Sequence, residues 1–445
     1  MNIDSEIARL TSISQFILEH AKACGADEAF VSASYGTQSR LAFEKGDYNL
    51  ATRHEGSGFS IVVHKNSASG SASINSLDKA HIAQSIDRAL QLAKHSIPDE
   101  YLCLAPAASY PKIAVPFDPL LCNMDMAELL KVGQFFIEQC TLSPKISIDS
   151  ASVECGTGAR VIANSKGMFA SDRSCALQWS AMGMAIEGDD ITSFDFESDH
   201  SLLLSESEGK MAASAKEFRD KLLSCLGSQN AQSFQGQVLL SPSLVEELLL
   251  DSLIFHIQGG NLMDGKSRWK EALGTSIASK NLTLSDDPHN PKMRGCTPFS
   301  SEGVPTQAMD IVEGGILKKH LYSLYSANRC GTVATGNGGG PHVPVLKAGS
   351  TPLQQLISGG SGPMIRPSRF SGNIDPVSGD FSGIAKGSQL YEKGLHRGPI
   401  REVMISGNVF SLLASDLQLS AERLDDGGSY LLPYILVDGV SVTAE

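Results

Sequence analysis

The stretch SPSLVEELLLDSLIFHIQGG, residues 241–260, decides how the second half of this chain is organised. Ser241 is a favoured helix N-cap and Pro242 suits the first turn, so a helix is predicted over residues 242–257, ahead of two glycines. A helix that is apolar nearly all round is buried on most sides. Apolar residues cover most faces of this one: Leu244, Val245, Leu248, Leu249, Leu250, Leu253, Ile254 and Phe255.

Short strands and turns are predicted on both sides of this helix. GQVLLS (residues 236–241) precedes it as a strand, and MDIVEGGILKKHLYS (309–323) is predicted to be a hairpin that turns at Glu313-Gly314-Gly315. YILVDGVSV (434–442) gives a second hairpin signal around Asp438-Gly439. We therefore expect residues 236–445 to form a mostly β domain, barrel-like or a sandwich, with one buried helix.

The first half mixes helices with strands. Helices are predicted over residues 4–24, 77–94, 124–140 and 209–225, and residues 98–119, with five prolines, are predicted to be an extended crossing segment. Four strand-like pieces, EAFVSAS, QSRLAFEKG, GFSIVVHK and GSASIN, follow the first helix. Residues 1–226 are thus predicted to form an α+β domain with a mixed or antiparallel sheet, and the polar residues 227–235 a boundary.

Composition excludes several classes of function. The net charge of −13 and the lack of a basic run argue against direct nucleic-acid binding. No apolar run approaches the roughly 20 residues of a membrane helix, and MNIDSEIARL has no apolar signal-peptide core. The nine cysteines are scattered, without a C-x-x-C pair, which is typical of a reduced compartment. We expect a cytoplasmic protein with no membrane contact.

Three segments carry a resemblance to a known family. Residues 241–260, ATGNGGG (334–340) and GNIDPVSGDFS (372–382) resemble the TldD/PmbA family, also called modulators of DNA gyrase, and the similarity continues in PIREVMISGNVFSLL (399–413). The third segment is fairly specific, because turn geometry fixes its Gly, Asn, Pro and Asp. The resemblance runs through most of the 445 residues.

The resemblance places the family's metal motif on the helix of residues 242–257. In the catalytic TldD branch this helix carries His-Glu-x-x-x-His, which binds zinc; here the two histidines correspond to Leu250 and Phe255, and the glutamate to Asp251. Zinc needs nitrogen, sulfur or oxygen donors, which leucine and phenylalanine lack. The family's third ligand, a cysteine near the C-terminus, also has no counterpart in residues 423–439. The chain therefore resembles the PmbA (TldE) branch, and we expect no metal and no catalytic residue in it.

Two other features are candidates for chemistry. His256 follows the motif positions, but five residues of helix place it about 140° away from Asp251, so we expect Asp251 to face solvent and His256 to be packed or hydrogen bonded. The glycine-rich loop lacks the Gly-Lys-Ser/Thr of a phosphate site, and tight-turn geometry explains its glycines. By resemblance the loop lies near an interior cavity, where Thr335, Gly336, Asn337 and Gly338 would bind a peptide.

These observations predict a subunit of a cytosolic zinc metalloprotease that acts on unfolded or extended peptides. By resemblance, a TldD-like partner would supply the zinc, and this chain would complete a chamber. The apolar helix predicts a homodimer in isolation, because one sheet covers only part of its surface. Two alternatives stay open: a catalytic metallopeptidase with a substitute site built on His256, and a homodimeric peptide-binding scaffold.

Overall fold

Two β-sheets follow one another along the chain. The structure is a computed structural model that describes residues 2–426 and 428–444. The first sheet has seven strands: β1 (Glu28–Glu44), β2 (Asp47–Lys65), β3 (Ala68–Ile74), β4 (Ile146–Asn164), β5 (Phe169–Glu187), β6 (Asp190–Ile191) and β7 (Asp195–Ser201). The second has thirteen: β8 (Phe234–Leu240), β9 (Leu284–Asp286), β10 (Met309–Glu313), β11 (Ile316–Leu317), β12 (Pro344–Leu346), β13 (Pro363–Arg366), β14 (Arg369–Ile374), β15 (Asp380–Lys386), β16 (Gln389–Glu392), β17 (Leu395–Pro399), β18 (Val403–Asn408), β19 (Gln418–Asp426) and β20 (Tyr430–Thr443).

Helices pack against both sheets. They are α1 (Ile3–Ala23), α2 (Lys79–His95), α3 (Pro119–Cys122), α4 (Met126–Cys140), α5 (Leu204–Leu223), α6 (Pro242–Val245), α7 (Asp251–Ile257), α8 (Gly259–Met263), α9 (Leu324–Cys330), α10 (Leu353–Ser358) and α11 (Val409–Ala414), with a π-helical segment (Glu246–Leu250) between α6 and α7. The predicted α+β class, with an antiparallel N-terminal sheet and a strand-rich C-terminal half, is confirmed. Among the described helices, none is long and apolar enough to cross a membrane.

The first sheet is built from unusually long antiparallel strands in the order β3-β2-β1-β4-β5-β6, with β7 also paired to β5. β1 pairs with β2 over its whole length and with β4 from Phe30 to Glu44. The prediction of four strand pieces was therefore wrong in detail. The first two are one strand, because ladder bonds on both edges carry the chain through Gly36, and Gly70 lies inside β3 rather than in a turn.

One face of the first sheet is covered by helices and the other is open to the second half of the chain. Side chains at odd positions of β1, such as Val31 and Leu41, are buried under helices α1, α2, α4 and α5. Alternation along a strand sends the even positions to the opposite face. There Ser34 and Gln38 are exposed. The sheet thus presents a polar, largely uncovered face to the C-terminal loops.

Residues 97–118 connect α2 to α3 mostly without regular structure, as predicted. Their contacts reach loops of the second half. Asp99 accepts a hydrogen bond from the Tyr325 hydroxyl at 2.7 Å, the Tyr101 carbonyl accepts one from the Asn328 amide at 2.9 Å, and the Tyr110 hydroxyl donates to the Gly303 carbonyl at 2.9 Å. The segment therefore ties the two halves together.

The second sheet is mixed, because β20 pairs with β12 in parallel and with β8, β18 and β19 in antiparallel fashion. The hairpin of β10 and β11 turns at Gly314 and Gly315, both with positive φ, as predicted. The second hairpin prediction was wrong: Gly439, with φ of 86°, makes a bulge inside β20. A bulge inserts one extra residue without reversing the chain. The predicted domain boundary at residues 227–235 stays a prediction.

Candidate functional site

The helix predicted over residues 242–257 is continuous but irregular. Between α6 and α7 the N–H of Asp251 bonds to the carbonyl of Glu246, five residues back. Such π turns occur frequently at functional sites, yet here no proline or glycine in the sequence signals one. The turn adds width to the helix where three consecutive leucines, Leu248, Leu249 and Leu250, are all buried.

The three positions that correspond to the metal motif point to different surroundings. Leu250 is fully buried in the core of the second sheet. Phe255 is half-buried, and its ring meets the His256 ring edge-on at 5.2 Å. Asp251 is exposed. The positions therefore do not converge on one point, and two of them present carbon alone.

Most of this helix is covered by its own chain. Its apolar residues from Leu244 to Leu253 belong to one core cluster of the second sheet, and Ile254 and Phe255 alone among them stay partly exposed. The chain itself therefore leaves only a small part of this apolar surface for another subunit to cover, and the predicted dimer stays a prediction. The mixed sheet, with α11, covers more faces than a single flat sheet would.

His256 is a packed residue at the end of this helix, as predicted. Its Nδ1 accepts a hydrogen bond from the Arg268 backbone N–H at 3.1 Å, and its ring lies 5.4 Å from that of Trp269 and 5.0 Å from that of Phe410. Burial, with a smaller effect of the Arg268 charge, lowers its pKa against the opposing effect of the Pro376 carbonyl. A neutral ring that accepts at Nδ1 carries its proton on Nε2. His256 therefore joins the end of the helix to the segment that carries Arg268.

The substitute-site alternative finds no ligand cluster at His256. Within residues 2–426 and 428–444, one group of three side chains offers ligand atoms close enough to share a metal ion: His20, Cys24 and Asp87. These lie on α1 and α2, behind the first sheet, and do not include His256. No such group of three among the described residues includes His256, whereas catalytic zinc usually has three protein donors.

The glycine-rich loop holds its shape through its own hydrogen bonds. Thr335 bonds to the backbone of Tyr322 through both its N–H and its hydroxyl. Gly336 has φ of +81°, and a Cβ there would lie 2.3 Å from the Pro305 carbonyl oxygen. Glycine is therefore required at this position by the chain itself. Thr335 and Gly336 serve the loop's architecture.

Asn337 is fixed by a buried carboxylate. Its Nδ2 donates to Asp286, which also accepts the backbone N–H groups of His342 at 3.0 Å and Val343 at 2.8 Å. Burial raises the pKa of Asp286, while these three donors favour its charged form. The Oδ1 atom of Asn337 is buried and has no hydrogen-bond partner within the described chain. An unmet buried acceptor is costly, and an N–H or O–H donor would satisfy it.

Asn337 and its neighbour Gly338 line a cavity of about 740 Å³ between the open face of the first sheet and the C-terminal loops. Thr335 and Gly336 do not line it. The structure therefore brings two of the four predicted peptide-binding residues to a cavity and leaves the other two behind it. The remaining wall comes from β1, β4, β5 and residues 293–301.

Sequence reasoning missed the floor of this cavity. In the ladders, Gly36 lies opposite Gly56 on one side and Gly158 on the other, and Gly158 lies opposite Ser174. These four residues form a row across β2, β1, β4 and β5 that we call the glycine furrow; Gly158 and Ser174 line the cavity, and Gly36 and Gly56 continue the row beyond its lining. Three neighbouring strand spacings of about 4.8 Å make it roughly 14 Å long. Glycine inside a strand often marks close approach of a ligand or another backbone, and this was the available signal.

The cavity wall carries charge of both signs. Arg160, Arg173 and Arg294 line it together with Glu154 and Asp172. Burial raises the pKa of Asp172 and lowers that of Arg160, with their mutual attraction opposing both shifts. Such a wall suits a ligand with both donors and acceptors, as a peptide backbone has.

Comparison with known proteins gives this geometry a context. Residues 233–444 match the model of the PmbA/TldA metallopeptidase C-terminal domain. A metalloprotease PmbA homolog from Haemophilus influenzae is 27% identical over 399 residues, which cover 86% of this chain and 85% of that protein. The metalloprotease PmbA of Escherichia coli O157:H7 is 25% identical over 429 residues, covering 93% and 92%. The chain is similar to PmbA/TldD proteins along most of its length, and its residues 233–444 match that family's C-terminal domain.

Solved structures show the same fold. TldE from Thermococcus kodakarensis superposes with a TM-score of 0.81 at 21% identity, covering 98% of this chain and 100% of that one. A protein described as a modulator of DNA gyrase from Bacteroides thetaiotaomicron gives a TM-score of 0.86 at 22% identity, covering 98% and 99%. At these identities the likeness establishes the fold of this chain.

The zinc that the PmbA/TldD family implies does not fit the residues of this chain. A catalytic zinc needs about three N, S or O donors around an open position. Here the motif positions offer one exposed carboxylate, a buried leucine and a phenylalanine that packs on His256. No hydrolytic step can therefore be assigned to a metal on this helix.

Proposed function

We propose that this chain is a non-catalytic subunit of a cytosolic zinc metalloprotease complex and holds an unfolded or extended peptide. The observation that carries the proposal is the cavity over the glycine furrow, floored by backbone and closed by the loop of Asn337. A peptide chain presents N–H and C=O groups along its length. A floor with few side chains admits such a chain without strong demands on its sequence.

Gly156 in the cavity and Gly36 in the furrow have no packing reason to be glycine, whereas a Cβ at Gly158 would lie 3.2 Å from the Ser174 hydroxyl. Gly36 and Gly156 have no positive φ, and a Cβ there would meet its nearest atom at 3.5 Å and 3.9 Å, which is ordinary contact. Gly in a strand interior destabilises by roughly 0.5–1 kcal/mol relative to Ala. A requirement for open space above this face of the sheet explains why glycine is retained here despite the loss of stability.

The motif helix supports a non-catalytic role. Because Leu250 and Phe255 offer no donor atoms, the zinc, the general base and the third ligand must come from a TldD-like partner subunit. The names of the relatives, metalloproteases PmbA, agree with a place in a protease system. In this proposal the chain alone is inert and contributes substrate binding to the complex.

Reconstitution tests the proposal. The chain is co-expressed with a TldD-like chain from the same organism, and each subunit alone and the mixture are incubated with an unfolded polypeptide. We expect co-purification and cleavage by the mixture, and no cleavage by this chain alone. Proteolysis by the isolated, metal-free chain would overturn the non-catalytic assignment. Failure to pair with the TldD-like chain would overturn the subunit assignment and leave the homodimeric scaffold.

Binding by the full-length chain tests the cavity directly. A fluorescent extended peptide is titrated with wild type, Gly156→Leu in the cavity, and Gly209→Leu on the exposed side of α5 as the matched control. We expect Gly156→Leu to abolish or strongly weaken binding and Gly209→Leu to leave it unchanged. Equal binding by all three proteins would exclude this cavity as the peptide site.

A further inference from the structure

The cavity is richer in unpaired positive charge than the chain as a whole. The full sequence has a net charge of −13, yet three arginines line this one cavity. Of the two carboxylates beside them, Glu154 is already bound by Arg40 Nε at 3.0 Å and by Gln38 Nε2 at 2.6 Å. Arg173 is paired with Asp4 at 3.1 Å. The groups that remain for a ligand are Arg160, Arg294 and, in part, Asp172.

Arg160 is held in place but not saturated. Its guanidinium lies over the Phe299 ring at 4.6 Å, and its Nη2 is 3.5 Å from the Thr297 hydroxyl and 3.8 Å from the Asp172 carboxylate. Both polar contacts are at the long limit of hydrogen bonding. A guanidinium has five N–H donors in a fixed fork. Stacking fixes the plane of that fork while most of its donors stay available.

Arg294 has greater freedom. Its side chain is exposed, and within the described residues it makes no ion pair. It lines the cavity and also a small hollow of about 170 Å³ next to it, which contains Glu154 and Gln178. Its backbone N–H donates to the Gly428 carbonyl at 2.9 Å, which anchors the segment that carries it. Arg294 can therefore move its charge along the wall without disturbing the fold.

We propose that Arg160 and Arg294 bind a carboxylate of the peptide, so that the cavity selects segments with an acidic side chain or a free C-terminus. The inference rests on the proposed peptide-binding function and adds its substrate class. Arg160 stands two residues from Gly158 on the same face of β4, about 7 Å from the furrow. The furrow's roughly 14 Å accommodates about four extended residues, and a carboxylate that lies over Gly158, the third position of the row, is within reach of the Arg160 side chain.

Asn337 favours a peptide carboxylate over a phosphate group. Its buried Oδ1 lacks a donor within the described chain, and a peptide supplies backbone N–H groups next to its carboxylate. Phosphate oxygens at neutral pH are chiefly acceptors and cannot satisfy that atom. A phosphate with nearly two negative charges would also meet Asp172 and Glu154 in the same wall.

Matched peptides test the inference on the full-length chain. One neutral seven-residue peptide is prepared with a free or an amidated C-terminus, and an amidated version carries Asp or Asn at its third residue. Fluorescence anisotropy gives Kd for wild type, Arg294→Gln, Arg160→Lys and the control Arg88→Gln on the exposed side of α2. We expect a carboxylate to tighten binding about tenfold in wild type and in Arg88→Gln. The preference should fall to about twofold or less in Arg294→Gln.

The two pairs of peptides distinguish between the possible ligands of the site. A preference in the acid and amide pair alone assigns the site to a C-terminus, and a preference in the Asp and Asn pair assigns it to an acidic side chain. Equal Kd values within both pairs, or a preference that survives both cavity substitutions, would overturn the inference and leave peptide binding intact. Failure of every peptide to bind would overturn the proposed function together with the inference.

Discussion

The imidazole of His256 accepts a hydrogen bond at Nδ1 from the backbone N–H of Arg268, at 3.1 Å. This bond closes the last turn of the motif helix onto the segment that follows it. Because three aromatic rings surround the imidazole, its role in this chain is to position backbone. We therefore assign His256 a structural role and no role in metal binding.

The buried position of His256 predicts a pH-dependent stability. Burial lowers its pKa below the ordinary 6.5, so between that value and the folded pKa the unfolded chain binds more protons. The free energy of unfolding should therefore fall as the pH drops below about 6.5. Urea denaturation at several pH values should show a weaker decline in His256→Gln. The exposed His54→Gln serves as control and should keep the wild-type slope.

Restoring the first motif histidine should damage the fold. Leu250 is fully buried, so Leu250→His loses its apolar transfer energy and buries a polar ring, at about 3 kcal/mol or more. Asp251→His, at the exposed neighbouring position, should change stability by about 0.5 kcal/mol or less. Denaturant midpoints compare the two. A stable Leu250→His protein would contradict the described packing of this helix.

The purified chain should hold no zinc at the motif helix. Elemental analysis after gel filtration without added metal should give far less than one zinc per chain. The surface group of His20, Cys24 and Asp87 is a possible source of weakly held metal, so Cys24→Ser is measured in parallel. About one tightly held zinc that persists in Cys24→Ser would contradict the prediction.

Gly36 of the furrow should be dispensable for stability, unlike a glycine that packing requires. Gly36→Ala should keep or raise stability, by up to about 1 kcal/mol, because its Cβ fits ordinary space. Gly183→Ala is the contrast, since a Cβ there would lie 2.3 Å from the Ser147 carbonyl oxygen. Thermal denaturation should rank Gly36→Ala above wild type and Gly183→Ala clearly below. The reverse order would remove the argument that a ligand needs this space.

Assembly gives a further test. We expect the isolated chain to be a dimer at micromolar concentration, and to exchange into a complex when a TldD-like chain is added. A permanent interface buries about 2,000 Å² or more, which keeps such a complex together during gel filtration. Light scattering measures both masses. A monomer that also ignores the TldD-like chain would contradict the prediction.

Local signals in the sequence predicted most helices and strands well. They predicted less well where neighbouring pieces join into one strand or helix. Ser241, Pro242 and the apolar run specified the helix, since caps and burial act within a few residues. EAFVSAS and QSRLAFEKG were predicted as separate strand pieces, but pairing on both edges carries one strand through both. The π turn at Asp251 has no local signal, because it follows from how three leucines fit the surrounding core.

The candidate site was predicted in part. Asn337 was found through the family resemblance, and its fixed orientation comes from Asp286, 51 residues away in sequence. Arg160 and Arg294 were not predicted, because each belongs to a different half of the chain and neither is unusual by itself. Strand register brings the glycines of the floor together, and register is a property of several distant segments at once.

Residues 97–118 have a consequence for any attempt to divide this molecule. They belong to the first half by sequence, yet Tyr325, Asn328 and Gly303 of the second half bind them. A fragment that begins at residue 236 would lose these hydrogen bonds and part of the cavity wall. A fragment that ends at residue 226 would keep the bonds of this segment to Ser67 and Asn164 but lose those to the second half. The two halves are thus better regarded as one structural unit than as two separable domains.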